Sequence, residues 1–400
     1  MIHIFINALA ANAGGGLTYV RNIVPLLSDR SDVRATVVLS GALLDELHDS
    51  KNVHFLTVKT PQSTAQRYWF EQSKLPFLIR QSGADVLLAL GNFALWNSPV
   101  PQILLSRNAL YTSKDFERDL RQRGDYQLWL DNVLKTAVAG ISIRRADVAV
   151  APSYAFAEEL RAWTGAPVEA VYHGFNRGVF FADSKALPRD VEERIAAAER
   201  DLRLLFVSHY NYYRNFETLL RAIPILRGLV APRNVRLFLT CQLKSENNPG
   251  SYRATGAAAL VKQLGISDNV VELGFVPYRS LHQLYTKCDL YVTAAYAESF
   301  AHPLLEAMSS GRPIVASDIA VHREICGEAA LYFDRFSPEN AAETLASLAQ
   351  SPEMMKRLGD AGRSRSGDFS WHDHLEKILA IATRLVARKK AGGTSSTLRV

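Results

Sequence analysis

The chain has 400 residues, 48% of them hydrophobic and 22% charged, which excludes a disordered body and favours two globular domains over one core. Its three cysteines, Cys241, Cys288 and Cys326, form neither a disulfide framework nor a metal-ligand spacing, so a reducing, cytoplasmic setting is expected. The net charge of +6 lies wholly in Lys377, Arg384, Arg388, Lys389, Lys390 and Arg399, because residues 1–376 balance to zero. A body without a basic excess argues against a nucleic-acid partner. The basic tail leaves two readings open: peripheral contact with the anionic inner face of the plasma membrane, or a solvated helix end.

In chain order, Met1-Ile-His-Ile-Phe-Ile-Asn7 lacks a basic start and breaks at Asn7, so it reads as a first buried strand rather than a signal peptide. No run of about 18 apolar residues follows anywhere, and no membrane span is expected. A helix over 17–28, a strand over 34–39 and strands at Asp85–Leu90, Gln102–Ser106 and Ala146–Pro152 follow. Near-continuous apolar runs alternating with helical patterns indicate α/β architecture with parallel sheets. The charged stretch 183–202 fits no buried strand and is read as a linker between domains 1–182 and 203–368. A second series begins at Arg203-Leu-Leu-Phe-Val-Ser, with further strands near Val235, Val270, Leu290 and Pro313. Two Rossmann-like halves result. A closing amphipathic helix is expected over 369–390, then a disordered tail over 391–400.

The motif richest in chemistry is Ala297-Glu-Ser-Phe-Ala-His-Pro-Leu-Leu-Glu-Ala-Met-Ser-Ser-Gly311. It follows a strand, Pro303 suits a helix start and Gly311 suits the residue beyond its end, so a helix over about 303–310 is predicted. The N–H groups at such a start lack helical partners and face the positive dipole end, which makes a seat for a diphosphate. Glu298 before that start and Glu306 in its first turn would bracket the anion and accept hydrogen bonds from sugar hydroxyls. Acids in a first turn also favour the dipole on their own. Gly14, Gly15 and Gly16 after the first strand allow close backbone approach to an anion.

Glu298-x7-Glu306 followed by Gly311-Arg-Pro-Ile-Val-Ala-Ser-Asp resembles the signature of family-4 retaining glycosyltransferases of the GT-B fold. Asn12-Ala-Gly-Gly-Gly-Leu-Thr-Tyr, Ala151-Pro-Ser, Val171-Tyr-His-Gly-Phe-Asn, Leu273-Gly-Phe-Val and Phe369-Ser-Trp371 are similar to further landmarks of that family, so the resemblance covers most of the chain. It implies two Rossmann-like domains facing across a cleft, with a C-terminal helix crossing back to an N-terminal acceptor-binding domain. It further implies a hexose, with mannose ahead of others, moved from a nucleoside diphosphate sugar to a glycan or polyprenyl-linked acceptor in surface polysaccharide or lipopolysaccharide assembly. Position by position, Glu298 would hold the donor sugar and Glu306 the ribose. Ser299, Phe300, Ala301, His302, Pro303 and Leu304 would line the sugar and phosphates, and the main chain of Phe275 and Val276 would read the base.

Two departures from the family pattern stand out. His209 and Arg214 occupy the places of an Arg and a Lys that usually meet the diphosphate. Arg214 keeps a permanent, bidentate cation, whereas His209 is charged only at acid pH unless an anion raises it. Arg107 and Asn108 replace a His followed by Asp or Asn, so Arg107 is read as a contact to donor phosphate or acceptor, or as a surface ion pair. On the acceptor side Arg67, Asn108 and His173 are candidates, with packing of Tyr68 and Trp69 and a structural role for His173 as the plain alternatives.

Glu298, Arg214 and Arg107 are thus the residues expected to act on the reacting groups. No Asp-x-Asp motif occurs, so neither metal nor other cofactor is expected. The competing functions are a sugar-nucleotide epimerase of the same fold and a non-catalytic scaffold subunit. A dinucleotide-binding dehydrogenase is disfavoured by the misspaced glycines.

Overall fold

The computed structural model describes residues 1–11, 14–40, 49–59, 63–182, 185–247 and 252–395. It divides into two compact units, neither contiguous in sequence. Unit 1 comprises residues 1–112, 130–174 and 370–400; unit 2 comprises 113–129 and 175–369. The chain therefore passes between units at Gly174–Phe175, so the stretch 183–202, read above as a linker, falls inside unit 2. Residues there form helix α7 (Arg189–Ala196), whose Val191 and Ile195 are buried while its charges face outward.

Unit 1 is a seven-stranded sheet in the order β3-β2-β1-β4-β5-β6-β7, every pair parallel. Its strands are β1 (Ile2–Asn7), β2 (Val33–Ser40), β3 (Val53–Val58), β4 (Val86–Ala89), β5 (Gln102–Leu105), β6 (Val148–Ala151) and β7 (Val168–Ala170). The central strands β4, β5 and β6 are buried at every position, as strands covered on both faces should be. The sequence reading omitted β3 and β7. The first is an edge strand with exposed positions inside it and the second has three residues, so neither carries the continuous apolar run that marks the others.

Helix α1 (Gly14–Ser28) and the C-terminal helix α15 (Trp371–Ser395) belong to this unit. The core draws Tyr19, Val20 and Ile23 from α1 and Trp371, Leu375, Ile378 and Leu385 from α15 onto Ile4, Ile6 and Leu88 of the sheet. Residues 391–395 continue α15, in contrast to the expected disorder from 391. At the chain's turn into Phe175, a Cβ on Gly174 would lie 2.0 Å from the Trp371 backbone nitrogen. No side chain fits that approach. His173 stacks on the Trp371 indole at 5.3 Å, and His374 takes Tyr19 Oη at 3.0 Å through Nε2.

Unit 2 holds a six-stranded parallel sheet in the order β10-β9-β8-β11-β12-β13. Its strands are β8 (Leu202–Phe206), β9 (Val235–Leu239), β10 (Val270–Glu272), β11 (Leu290–Thr293), β12 (Ile314–Ser317) and β13 (Ala330–Phe333). The short edge strand β13 was also unread in the sequence. Order runs outward one way from β8 through β9 and the other way from β11 through β12. Ligands of such sheets bind beyond the carboxyl ends of the two strands where the order reverses. In unit 2 these are β8 and β11; in unit 1 they are β1 and β4.

Candidate functional site

The loop leaving β8 carries His209 and Arg214, and the loop leaving β11 carries Glu298. The structure brings the last two together: Arg214 Nη1 donates to Glu298 Oε1. Both side chains are largely buried, at 18% and 9% exposure. Burial pushes the Glu298 carboxyl up, with the Arg214 charge opposing that rise. Arg214 also lies over the Tyr213 ring at 5.2 Å, and its buried Nε has no hydrogen-bond partner among the described residues. A donor of this kind is costly to bury unless a ligand meets it.

Two features sew these loops together. The Tyr296 N–H donates to Tyr213 C=O at 3.0 Å. Asn215 Nδ2 reaches Ala294 C=O at 3.2 Å, and its Oδ1 accepts from Thr218 Oγ1 at 2.9 Å. Asn215 stands in the left-handed region, φ 54°, ahead of helix α8 (Phe216–Leu229). It positions Arg214 and was not singled out in the sequence. The available signal was that Asn tolerates this backbone region better than most residues.

Helix α11 spans His302–Ser309, one residue earlier than predicted. Glu306 consequently sits in the second turn rather than the first. Its N-terminus has no side-chain cap. Pro303 brings no N–H and the Leu304 N–H bonds to Ala301 C=O at 3.0 Å, so the set of open amides is smaller than the sequence suggested. Glu306 is buried and accepts from Tyr285 Oη at 2.8 Å, Tyr285 being on helix α10 (Tyr278–Lys287). Burial raises the Glu306 carboxyl to about 7, only partly offset by that hydrogen bond.

Ala301, the residue before α11, has φ 66° and ψ 66°, a conformation costing an L-residue roughly 1–2 kcal/mol. Ala301→Gly should therefore stabilise the fold by about 0.5–1 kcal/mol after glycine's greater unfolded-state freedom is deducted. A rise in the urea midpoint at constant m-value would register it, and a fall would show that the alanine methyl contributes packing that outweighs the strain.

The remaining unit 2 candidates lie around these residues. His209 is exposed; desolvation and the Arg214 charge hold its imidazole below the ordinary value, so it is neutral at pH 7 in the free protein. Phe300 packs edge-on to His302 with ring centroids 5.0 Å apart, and Ser299 is half-buried beside them. Phe275 is 76% exposed whereas Val276 is buried, so the aromatic ring faces outward from the segment after β10. Gly274 before it has φ 74°, which lets the chain turn there without strain.

In unit 1, Gly14, Gly15 and Gly16 form the first turn of α1 rather than a loop; the Asn12 and Ala13 that precede them lie outside the described residues. A Cβ on Gly16 would meet Ala11 Cα at 2.9 Å and Arg107 Nη2 at 3.4 Å. Arg107 follows β5 and donates from Nη1 to Gly15 C=O at 3.0 Å and from Nη2 to Leu90 C=O at 2.8 Å. Its guanidinium thus ties the ends of β4 and β5 to the start of α1. Burial pushes it down to about 10.

Asn108 Oδ1 caps a 3-10 turn through the Leu110 N–H at 3.1 Å, a structural use of that acceptor. Arg67, on helix α2 (Thr64–Ser82), lies 3.6 Å from Glu71. Glu71 is 1% exposed, takes a 3.0 Å bond from Asn7 Nδ2, and is pushed up by burial. This buried carboxyl beside the end of β1 is not among the candidates read from the sequence, where only its i−4 neighbour Arg67 was named. No group of three or more His, Cys, Asp or Glu side chains placed to hold a metal occurs among the described residues.

Two parallel α/β sheets, with charged groups gathered at the strand reversals, define the GT-B class of two-domain folds. HepE of Anabaena in complex with UDP-glucose has this fold, aligning at 18% identity with a TM-score of 0.70 over 96% of this chain and 100% of that one. Residues 189–365 match the family model glycosyl transferases group 1. Among curated relatives, D-inositol 3-phosphate glycosyltransferase of Segniliparus rotundus is 28% identical over 53% of this chain and 46% of its own length. MMP alpha-(1->4)-mannosyltransferase of Mycolicibacterium hassiacum is 32% identical over 49% of this chain and 44% of its own. The chain thus spans a little under half the length of these relatives.

Proposed function

We propose that the protein is a retaining hexosyltransferase that takes its sugar from a nucleoside diphosphate sugar and moves it to a hydroxyl of a glycan or polyprenyl-linked glycan in surface polysaccharide assembly. The observation that carries this reading is the buried Arg214–Glu298 pair at the β8–β11 reversal, beside an uncapped helix start. Such a pair suits a ligand that is anionic at one end and hydroxylated at the other. The mannosyltransferase relative makes mannose the first sugar to test. The UDP-glucose complex of HepE supports a nucleoside diphosphate sugar as donor.

The chemical task is to stabilise the negative charge that grows on the departing diphosphate. Arg214 and the amides at the start of α11 would do this without a metal, and a His209 that gains a proton beside phosphate would add a second cation. Glu298 would accept from the sugar hydroxyls and Glu306 from the ribose, so neither acts as a nucleophile. The acceptor hydroxyl would attack on the face of the departing phosphate, which takes its proton. In unit 1, Arg107 and the Gly14–Gly16 turn form an anion-binding corner, and Arg67 with Glu71 offers a charge and an acceptor for a hydroxylated substrate.

Thermal unfolding with a panel of nucleoside diphosphates and their mannose and glucose conjugates tests the reading. A ligand at about 100 times its Kd adds about 2.7 kcal/mol. Release of the nucleoside diphosphate that begins only on addition of acceptor separates a transferase from an epimerase. A panel in which no nucleotide stabilises the protein would remove the basis for a donor site.

A further inference from the structure

Helix α4 of the fold spans Tyr126–Arg145, and within unit 1 it presents to solvent an apolar stripe alongside the exposed Asp131–Lys135 ion pair. Leu130 is 53% exposed and Leu134 60%, with Ala137 and Ile141 continuing the same face at helical spacing. Scattered exposed apolar residues need no explanation, but a continuous stripe does. The stripe ends at exposed Arg144 and Arg145. The Arg145 guanidinium lies 5.2 Å from the centre of the half-exposed Trp96 ring.

Trp96 is anchored by Gln72 of α2, whose Oε1 takes its N–H at 3.0 Å; one turn earlier on α2 stands Trp69, 75% exposed. Three residues beyond Trp96, Pro99 C=O accepts from Lys389 Nζ at 2.9 Å. The basic end of α15, with Arg388 and Lys389 both exposed, therefore lies beside the same segment. One surface of unit 1 thus combines an apolar helical stripe, two exposed indoles and a cluster of cations.

We propose that this surface docks unit 1 on an anionic lipid bilayer, with the α4 stripe and Trp96 entering the headgroup boundary and Arg144, Arg145, Arg388 and Lys389 meeting lipid phosphates. Charge complementarity selects this occupant: a second copy of the chain would set these cations against one another, whereas anionic headgroups neutralise them. Indoles at the boundary and basic residues flanking an apolar helix face are the elements of interfacial binding. The basic tail, which in the sequence stood alone as a candidate membrane contact, becomes one edge of a larger surface. The inference does not depend on the transferase reading.

Sedimentation of the full chain with vesicles of phosphatidylglycerol and phosphatidylcholine, against phosphatidylcholine alone, tests it. Binding to the anionic vesicles only, weakened by salt, is expected. Leu130→Ser with Leu134→Ser should lower that partitioning by at least about 30-fold, and Arg144→Gln with Arg145→Gln by about fivefold per charge. Both variants should keep the wild-type melting temperature and nucleotide binding, since the altered side chains are exposed. Equal binding to both vesicle types, no binding to either, or a wild-type level of binding by the leucine variant would overturn the proposal. So would a leucine variant that converts a dimer to a monomer while vesicle binding is unaffected.

Discussion

Arg214→Ala is expected to reduce turnover of a nucleoside diphosphate sugar by about three orders of magnitude, the scale seen when a preorganised charge facing a developing anion is removed. Stability should fall with it, because the variant strands Glu298 in a buried site. Removing one member of a buried ion pair costs about 3–5 kcal/mol. That cost must depend on pH in a definite direction. Burial already raises the Glu298 carboxyl, and without Arg214 it rises further. A carboxyl whose folded-state value lies above its unfolded one destabilises the fold increasingly as pH climbs through that window.

The deficit of Arg214→Ala should therefore be large at pH 8 and shrink towards pH 5. Adding Glu298→Gln should recover most of the stability and none of the turnover. Urea unfolding at the two pH values, with nucleotide release measured in parallel, gives all four comparisons. Turnover that survives Arg214→Ala would move the charge work to another residue.

Glu306→Gln is expected to weaken nucleotide binding and at the same time stabilise the ligand-free protein at alkaline pH. The carboxyl titrates near 7 when folded, against about 4.3 for an unperturbed glutamate. Between those values the folded state holds a proton that the unfolded state releases. Stability from this group is thus fully present below the unfolded value and lost as pH rises through 7, on the order of 3 kcal/mol by pH 8. Glutamine keeps the shape without the charge, so its advantage should be greatest at pH 8 and absent near pH 4. It retains a carbonyl for Tyr285 but forfeits the charged acceptor proposed for the ribose. A uniform gain across pH 4–8 would mean that the carboxylate is not what destabilises the site.

Much of the architecture was legible because strands such as Val86–Ala89 and Ile314–Ser317 are buried throughout and so must be apolar throughout. Edge strands β3 and β13 escaped because half-exposed positions break that run. The domain boundary was misjudged for a related reason. Arg189–Ala196 is charged in composition yet amphipathic in arrangement, and composition alone does not report which face is buried. At the site, Arg214 and Glu298 were each read as a ligand contact. Their mutual bond, across 84 residues of sequence, was invisible, as was the burial that raises the Glu306 carboxyl to about 7 against the opposing Tyr285 bond. Such pairings arise from the order of strands rather than from local pattern.

The placement of α15 has a consequence for biosynthesis. Trp371, Leu375, Ile378 and Leu385 complete the core of unit 1, so the part of the protein translated first is among the last to be finished. Unit 2 has all its residues by Phe369, whereas unit 1 must wait for α15 to leave the ribosome. Until then the apolar faces of α1 and of the sheet beneath α15 lie open to solvent, a state prone to aggregation. Chains terminated shortly after Phe369 should therefore be poor substrates for folding but good ones for chaperones, even though every proposed donor-site residue has already been made.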